Sequence, residues 1–211
     1  MTFTLEKVVP WGRSYEEYLA MFSLTDDDLN KNILGCSDGP ASFNAQLSRR
    51  DGKVLSIDPL YQFSKHEIQK RIDETFTLVI EQTRKNKDEF NWQYIRDVDE
   101  LATVRAEAMT EFIEDFSNGK EEGRYVAASL PLLPFEDKAF ELALCSHFLF
   151  LYSEQYSLDF HLDSIEELCR VASEVRIFPL LELGSRPSRH LEDLLKALEA
   201  REILAVIEKV D

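Results

Sequence analysis

The residues best placed to do chemistry surround one turn. Gly35-Cys36-Ser37-Asp38-Gly39-Pro40 leaves a short apolar run that begins at Asn32 and precedes a helix-periodic stretch, 42–50, with Phe43 and Leu47 on one face. Gly39 lacks a Cβ, so the backbone there allows close approach of a ligand. Unpaired N–H groups at the start of the next helix favour an anionic group such as a carboxylate. Asp58-Pro59 closes the following apolar run, with Asp58 nineteen residues after Gly39. A carboxylate so placed accepts both hydroxyls of an adenosine ribose. A plain strand-to-helix turn explains the glycine alone; turn, spacing and Asp58 together favour a nucleoside-containing ligand. Further on, Ser146 and His147 follow a third apolar run.

These residues need strands to carry them. The runs 32–36 and 53–57, joined by the helix 42–50, read as a β-turn-α-β unit that starts a parallel, doubly wound sheet. Tyr15, Tyr18, Leu19 and Phe22 mark an N-terminal helix with Ser14 as its cap. Residues 62–123 are charged and helix-periodic, far longer than one crossover helix needs, and read as a helical insertion in a single domain spanning 1–211. Alternation resumes with strands at 124–129, 140–145 and 174–181, helices at 163–172 and 188–200, and a last strand at 203–209. Pro179 falls at a strand end, where a lost donor is tolerated.

Composition narrows the partners. There are 24 basic and 40 acidic residues, a formal charge of −16, and such a field repels phosphate backbones. Nucleic acid is therefore not expected as a partner; the basic stretches 65–71 and 84–87 sit among acids and read as solvated helix faces. No apolar run reaches the ~20 residues of a membrane helix, and Met1 to Lys7 lack the marks of an export signal. A cytoplasmic protein without a membrane partner is expected. Cys36, Cys145 and Cys169 form no Cys-x-x-Cys pair and suit a reducing compartment; Cys145 reads as a packed thiol on a strand. His66, His161 and His190 have no partners at metal-ligand spacing, so no metal is expected.

The segment 130–147, LPLLPFEDKAFELALCSH, resembles the LPF-x-(D/E)-x-x-F-(D/E)-L-x-x-(S/C)-x stretch of S-adenosylmethionine-dependent methyltransferases with the seven-stranded Rossmann-like fold. Pro10-Trp11-Gly12-Arg13-Ser14, ahead of an Ile-Leu-Gly-Cys-Ser-Asp-Gly-Pro turn, is similar to a subfamily of uncharacterised bacterial methyltransferases. The resemblance runs from Trp11 to Val210 outside the insertion. It implies a Rossmann-like, mostly parallel α/β sheet with an N-terminal helix, S-adenosylmethionine as cofactor and S-adenosylhomocysteine as product.

Carried over residue by residue, the first motif spans Leu34 to Ala41. Its usual acid falls on Gly35, and its three glycines on Ser37, Gly39 and Ala41. Asp38 is the nearest substitute for the missing acid, which in the family holds the methionine amino group. The ribose acid maps to Asp58, and the adenine loop to Ala128-Ser129-Leu130, with Ser129 in place of a commoner Asp. The implied cofactor-binding set is Arg13, Gly35, Cys36, Ser37, Asp38, Gly39, Asp58, Pro59, Ser129, Leu130, Ser146 and His147. Arg13 either pairs with the methionine carboxylate or lies on the surface. His147 either acts as general base toward a hydroxyl or amine or merely lines the pocket. The family's last, antiparallel strand has no residues left to form it, so a six-stranded core is expected, completed by a partner copy if the chain is a homodimer. The implied activity is methyl transfer to a small-molecule acceptor under the helical insertion; the alternatives are a nonenzymatic binder of the same nucleosides and an NAD(P)-dependent oxidoreductase.

Overall fold

The computed structural model describes residues 9–85, 87, 92 and 95–210. The N-terminal stretch read for an export signal lies outside them, as do 86, 88–91, 93 and 94 of the insertion. Helix α1 (Tyr15–Met21) begins with a capping box: Ser14 Oγ accepts the Glu17 N–H, and the Glu17 carboxylate accepts the Ser14 N–H. Thr25 and Asp28 start the short α2 (Asp26–Leu29) in the same way. Then come β1 (Asn32–Cys36), α3 (Phe43–Ser48), β2 (Lys53–Ile57) and a 3₁₀ turn, Pro59–Gln62. The insertion holds α4 (Lys65–Lys85) and α5 (Val98–Glu121). After it follow β3 (Tyr125–Val126), β4 (Phe140–Ser146), α6 (Leu158–Val171), β5 (Ala172–Phe178) and α7 (Leu191–Glu199), with a small hairpin, β6 (Leu181–Glu182) and β7 (Arg186–Pro187), between the last two.

Five strands form one sheet in the order β3-β2-β1-β4-β5, every pairing parallel. Because strand side chains alternate between faces, Ile33, Val54, Leu142 and Leu144 meet Tyr15, Tyr18, Phe43 and Leu47 of α1 and α3 on one side. Leu34, Cys36, Ala143 and Cys145 meet Leu162, Ile165, Leu168, Leu194 and Leu198 of α6 and α7 on the other. With both faces covered, the central strands read as near-continuous apolar runs. This is the expected doubly wound, Rossmann-like architecture. Its order reverses between β1 and β4, the switch point at which doubly wound sheets hold ligands in a crevice beyond the carboxyl ends of the strands.

The insertion is bound to this frame in two ways. Ile68, Ile72, Met109, Phe112 and Phe116 form an apolar cluster with Tyr61 and Tyr125 beside the β3 edge. From α5, Arg105, only 1% exposed, donates from both Nη atoms to the two Glu17 oxygens of α1, the Nη2–Oε1 contact being 2.6 Å. Its guanidinium lies 5.9 Å over the Trp11 ring.

Several boundaries differ from expectation. The strand expected at 124–129 is paired only at Tyr125 and Val126. Helix α6 starts earlier than 163 because Ser157 caps it, accepting the Phe160 N–H; α7 starts later than 188 and β5 ends at Phe178. The expected last strand, 203–209, is not a strand. After α7 the chain turns at Glu202, with φ at 59°, and runs on with Leu204, Val206 and Ile207 in solvent. The expected six-stranded core is thus corrected to five, because the turn at Glu202 and the ion pair from Arg201 to Glu166 hold the segment at the end of α7, where it pairs with no strand. The antiparallel hairpin is built from earlier residues and forms its own two-stranded sheet.

The Arg105–Glu17 pair gives a stability test. Glu17→Ala leaves a buried guanidinium without its carboxylate and removes half of a capping box. Urea denaturation is expected to show a loss of about 3–5 kcal/mol, with much of it recovered when Arg105→Met is added.

Candidate functional site

The residues at the crevice are arranged around a buried carboxylate. β1 ends at Cys36, and Ser37 (φ 58°) and Gly39 (φ 53°) then turn the chain through the left-handed region. That double reversal folds Asp38 back under the strand. Its Oδ1 accepts the Tyr18 hydroxyl at 2.8 Å and its Oδ2 the Ser56 hydroxyl at 2.6 Å. Asn44 in turn donates to Ser56 Oγ at 3.0 Å. A Cβ added to Gly35 would stand 1.9 Å from Asp38 Oδ2. Gly35 is therefore a glycine because the carboxylate of Asp38 fills the space where a side chain at 35 would sit.

Gly39 is the open side of the turn, since a Cβ there would meet nothing within 4 Å. Asp58, just past β2, holds it from below: Oδ2 accepts the Gly39 N–H at 2.9 Å and Oδ1 the Leu60 N–H at 2.7 Å. Tyr61 donates to the Gly39 carbonyl at 2.7 Å. Burial pushes the Asp38 carboxyl up to about 7, with neighbouring Asp58 adding to the rise and the Ser56 and Tyr18 hydroxyls opposing it. Burial likewise lifts Asp58 to about 6 against its two backbone donors.

Across the crevice, β4 delivers Ser146, buried, and His147, held at φ 48°. A non-glycine residue in this region at a strand end marks stored strain. The His147 N–H donates to Phe178 O at 2.7 Å, its Nδ1 lies 3.0 Å from Ser146 Oγ, and its ring stands edge-on to Phe178. Burial, followed by the charges of Arg13 and Arg105, holds the imidazole well below its ordinary value and therefore neutral near pH 7. Arg13 is partly buried, its side chain being 21% exposed. Its one ion pair among the described residues, to Glu17 at 3.6 Å, is to a carboxylate already gripped by Arg105. Burial and the nearby Arg105 lower Arg13 to about 9. Two guanidinium groups against one carboxylate leave this corner with excess positive charge, suited to an anion.

Not every expected residue converges. Ser129 is exposed and bridges only to Leu132, while Leu130 is buried. Pro59 opens the 3₁₀ turn beside Asp58. Cys36 and Cys145 are fully buried register partners, with the Cys36 thiol pushed up by its Cys145 contact and by burial, so both act as packed thiols. At the start of the next helix, α3 has six residues and the Ser42 N–H ahead of it is taken by Arg13 O. Sequence reasoning missed Tyr18, Ser56, Tyr61, Glu17 and Arg105. Tyr18 reads only as an apolar helix position, and Arg105 as one charge among many on a solvated face. Among the described residues no group of three or more His, Cys, Asp or Glu is placed to hold a metal, and no helix is long and apolar enough to cross a membrane.

Two tests follow from the geometry. Gly35→Ala should destabilise the fold by about 2 kcal/mol or more, since a Cβ must displace a buried carboxylate, and Asp38→Gly in the same chain should relieve part of the loss. The raised Asp38 value also makes a pH prediction. Below about pH 4 both folded and unfolded states carry the proton; above about 7 both are ionised and the fold bears the whole cost of burying charge. Asp38→Asn should therefore gain stability relative to wild type as pH rises from 4 to 8, by about 3–4 kcal/mol, read from denaturation midpoints across that range.

No protein-family model matches the chain. It is 34% identical over 208 residues to Uncharacterized protein MJ0045 of Methanocaldococcus jannaschii, an alignment covering 98% of this chain and 91% of the relative. That relative is archaeal, whereas the sequence resemblance pointed to bacteria. A chain matched at that identity along almost its whole length, on a five-stranded parallel α/β frame, belongs to the family of MJ0045.

Proposed function

We propose that the protein binds S-adenosylmethionine at the β1–β4 switch point and transfers its methyl group to a small-molecule acceptor. The observation that carries this reading is Asp58. It is a carboxylate at the carboxyl end of β2, beneath an open glycine turn, where the ribose of a nucleoside is held in doubly wound sheets. Each of its oxygens already accepts one backbone N–H and retains a lone pair for a ribose hydroxyl. Gly39 leaves room for the sugar. Arg13, desolvated and with only a long ion pair, suits the methionine carboxylate. The cofactor would supply an electrophilic methyl on a sulfonium, and the protein would hold donor and acceptor in line. His147, neutral and tied through Nδ1 to Ser146, is available to take a proton from the acceptor.

The acceptor space falls to the insertion. A cleft of about 310 Å³ between α4 and α5, lined by Ile72, Phe76, Met109, Asp73 and Thr110, adjoins Trp11 through Phe76. A nonenzymatic nucleoside binder is the second reading. It is favoured by Asp38, whose two oxygens are engaged by Tyr18 and Ser56 and so less free for the methionine ammonium.

Calorimetry and thermal shift with S-adenosylmethionine, S-adenosylhomocysteine, NAD and ATP test the reading. Saturation at about 100 times Kd should add roughly 2.7 kcal/mol of stability for the sulfur nucleosides alone, and Asp58→Ala should abolish it. Because the ribose hydroxyls need the ionised carboxylate, affinity should fall about tenfold per pH unit below 6 in wild type and stay flat in Asp58→Asn. A folded protein that ignores both sulfur nucleosides would overturn the proposal. Binding without methyl transfer to any acceptor tried would leave the second reading.

A further inference from the structure

The sheet has two edges of very different quality. β3 pairs over two residues and offers almost no template, whereas β5 runs for seven. Along its outer side β5 makes no strand pairing among the described residues, its backbone partners lying on β4. Such an edge is a row of unmet donors and acceptors that recruits another strand unless it is blunted. Proline, the usual block, is absent from Ala172 to Phe178, and the charged side chains there are already engaged: Glu174 with Lys31, and Arg176 with Asp28 and with the Phe22 carbonyl.

The same chain carries a segment suited to that edge. Residues 203–210, Ile-Leu-Ala-Val-Ile-Glu-Lys-Val, hold four β-branched residues and no proline or glycine, yet they form no helix or strand. Leu204, Val206 and Ile207 are 91%, 70% and 54% exposed. Soluble surfaces seldom leave three large apolar side chains so close together in water without use. In an antiparallel register that sets Val206 against Val175 and Leu204 against Ile177, the two exposed residues would extend the core layer to which Val175 and Ile177 already belong. Their own sheet does not take up this segment: the turn at Glu202 and the ion pair from Arg201 to Glu166 hold the chain at the end of α7.

We infer that the protein is a strand-exchanged homodimer, in which residues 203–210 of each copy pair with the outer edge of β5 in the other. Edge and strand come from one chain, so two copies related by a twofold axis satisfy both edges at once and the assembly closes. The main-chain hydrogen bonds supply the affinity, and the alternating apolar residues supply the register. The inference does not depend on what the crevice binds.

Sedimentation velocity of the full chain, over a wide concentration range, measures the assembly. Twice the chain mass is expected for wild type. Val206→Pro, which removes a ladder donor and resists a paired strand, should weaken the dimer by at least about tenfold, and Leu204→Lys should do the same through the apolar layer. Both variants should remain folded, with the helix content of wild type by circular dichroism, because neither residue is buried in the fold. Hydrogen exchange should show the amides of 203–210 protected in the dimer and open in the variants. A wild-type monomer overturns the inference, whether its segment is protected by its own sheet or left open for a different protein. A dimer that survives both substitutions overturns it too.

Discussion

A carboxylate buried where three elements meet governs the ligand end of this fold. Asp38 lies beneath β1, accepts hydroxyls from α1 and β2, and fills the space beside Gly35. A buried charge or polar group is tolerated only when its partners are in place. That requirement sets the phenol of Tyr18, the hydroxyl of Ser56, the absence of a side chain at 35, and the two left-handed residues that return the chain to Asp38. Gly39, the open residue facing the crevice, is a consequence of the same reversal.

The same corner explains how a long helical insertion stays in register with the sheet. Apolar packing on Tyr61 and Tyr125 carries much of the contact but is tolerant of sliding. The two-pronged Arg105–Glu17 pair is not, because guanidinium and carboxylate match only in one geometry. It fixes α5 against α1, and α1 is the helix that supplies Tyr18 to Asp38. Arg105 thus links the insertion to the turn through a single helix. It also occupies Glu17 so fully that Arg13 is left with a long ion pair and excess charge beside His147. The excess positive charge of this corner arises from competition for one carboxylate.

Two non-glycine residues bordering the crevice are held in the left-handed region: Ser37 and His147, at the carboxyl ends of β1 and β4, have positive φ, as does Gly39 between them in the turn. Such conformations persist only when surrounding contacts enforce them. The His147 N–H bond to Phe178 O and the Asp58 bond to Gly39 are two such contacts. The neutral imidazole follows first from burial and then from Arg13 and Arg105, which would repel a third positive charge in that corner.

Much of the architecture was legible from residue pattern. The apolar runs of β1, β2 and β4, the capping residue Ser14, the spacing from Gly39 to Asp58 and the length of the insertion gave the doubly wound frame and the place of the crevice. Local signals suffice for such features because strand and helix periodicities repeat within a few residues. The pattern misled at 203–209, where residues that prefer strands are held at the end of α7 by the turn at Glu202 and the Arg201–Glu166 pair. It was silent on Tyr18, Ser56, Glu17 and Arg105, and it left Arg13 undecided. By itself, then, the sequence determined the order of elements, the buried runs and the position of Asp58. The tertiary structure alone decided that the Asp38 carboxylate fills the space beside Gly35, that Arg13 is left with a long ion pair, and that Arg105 reaches across from the insertion to Glu17. The reason is physical: hydrogen bonds and ion pairs between residues far apart in the chain leave no period in the sequence, and the desolvation that gives them their force exists only once the chain has closed around them.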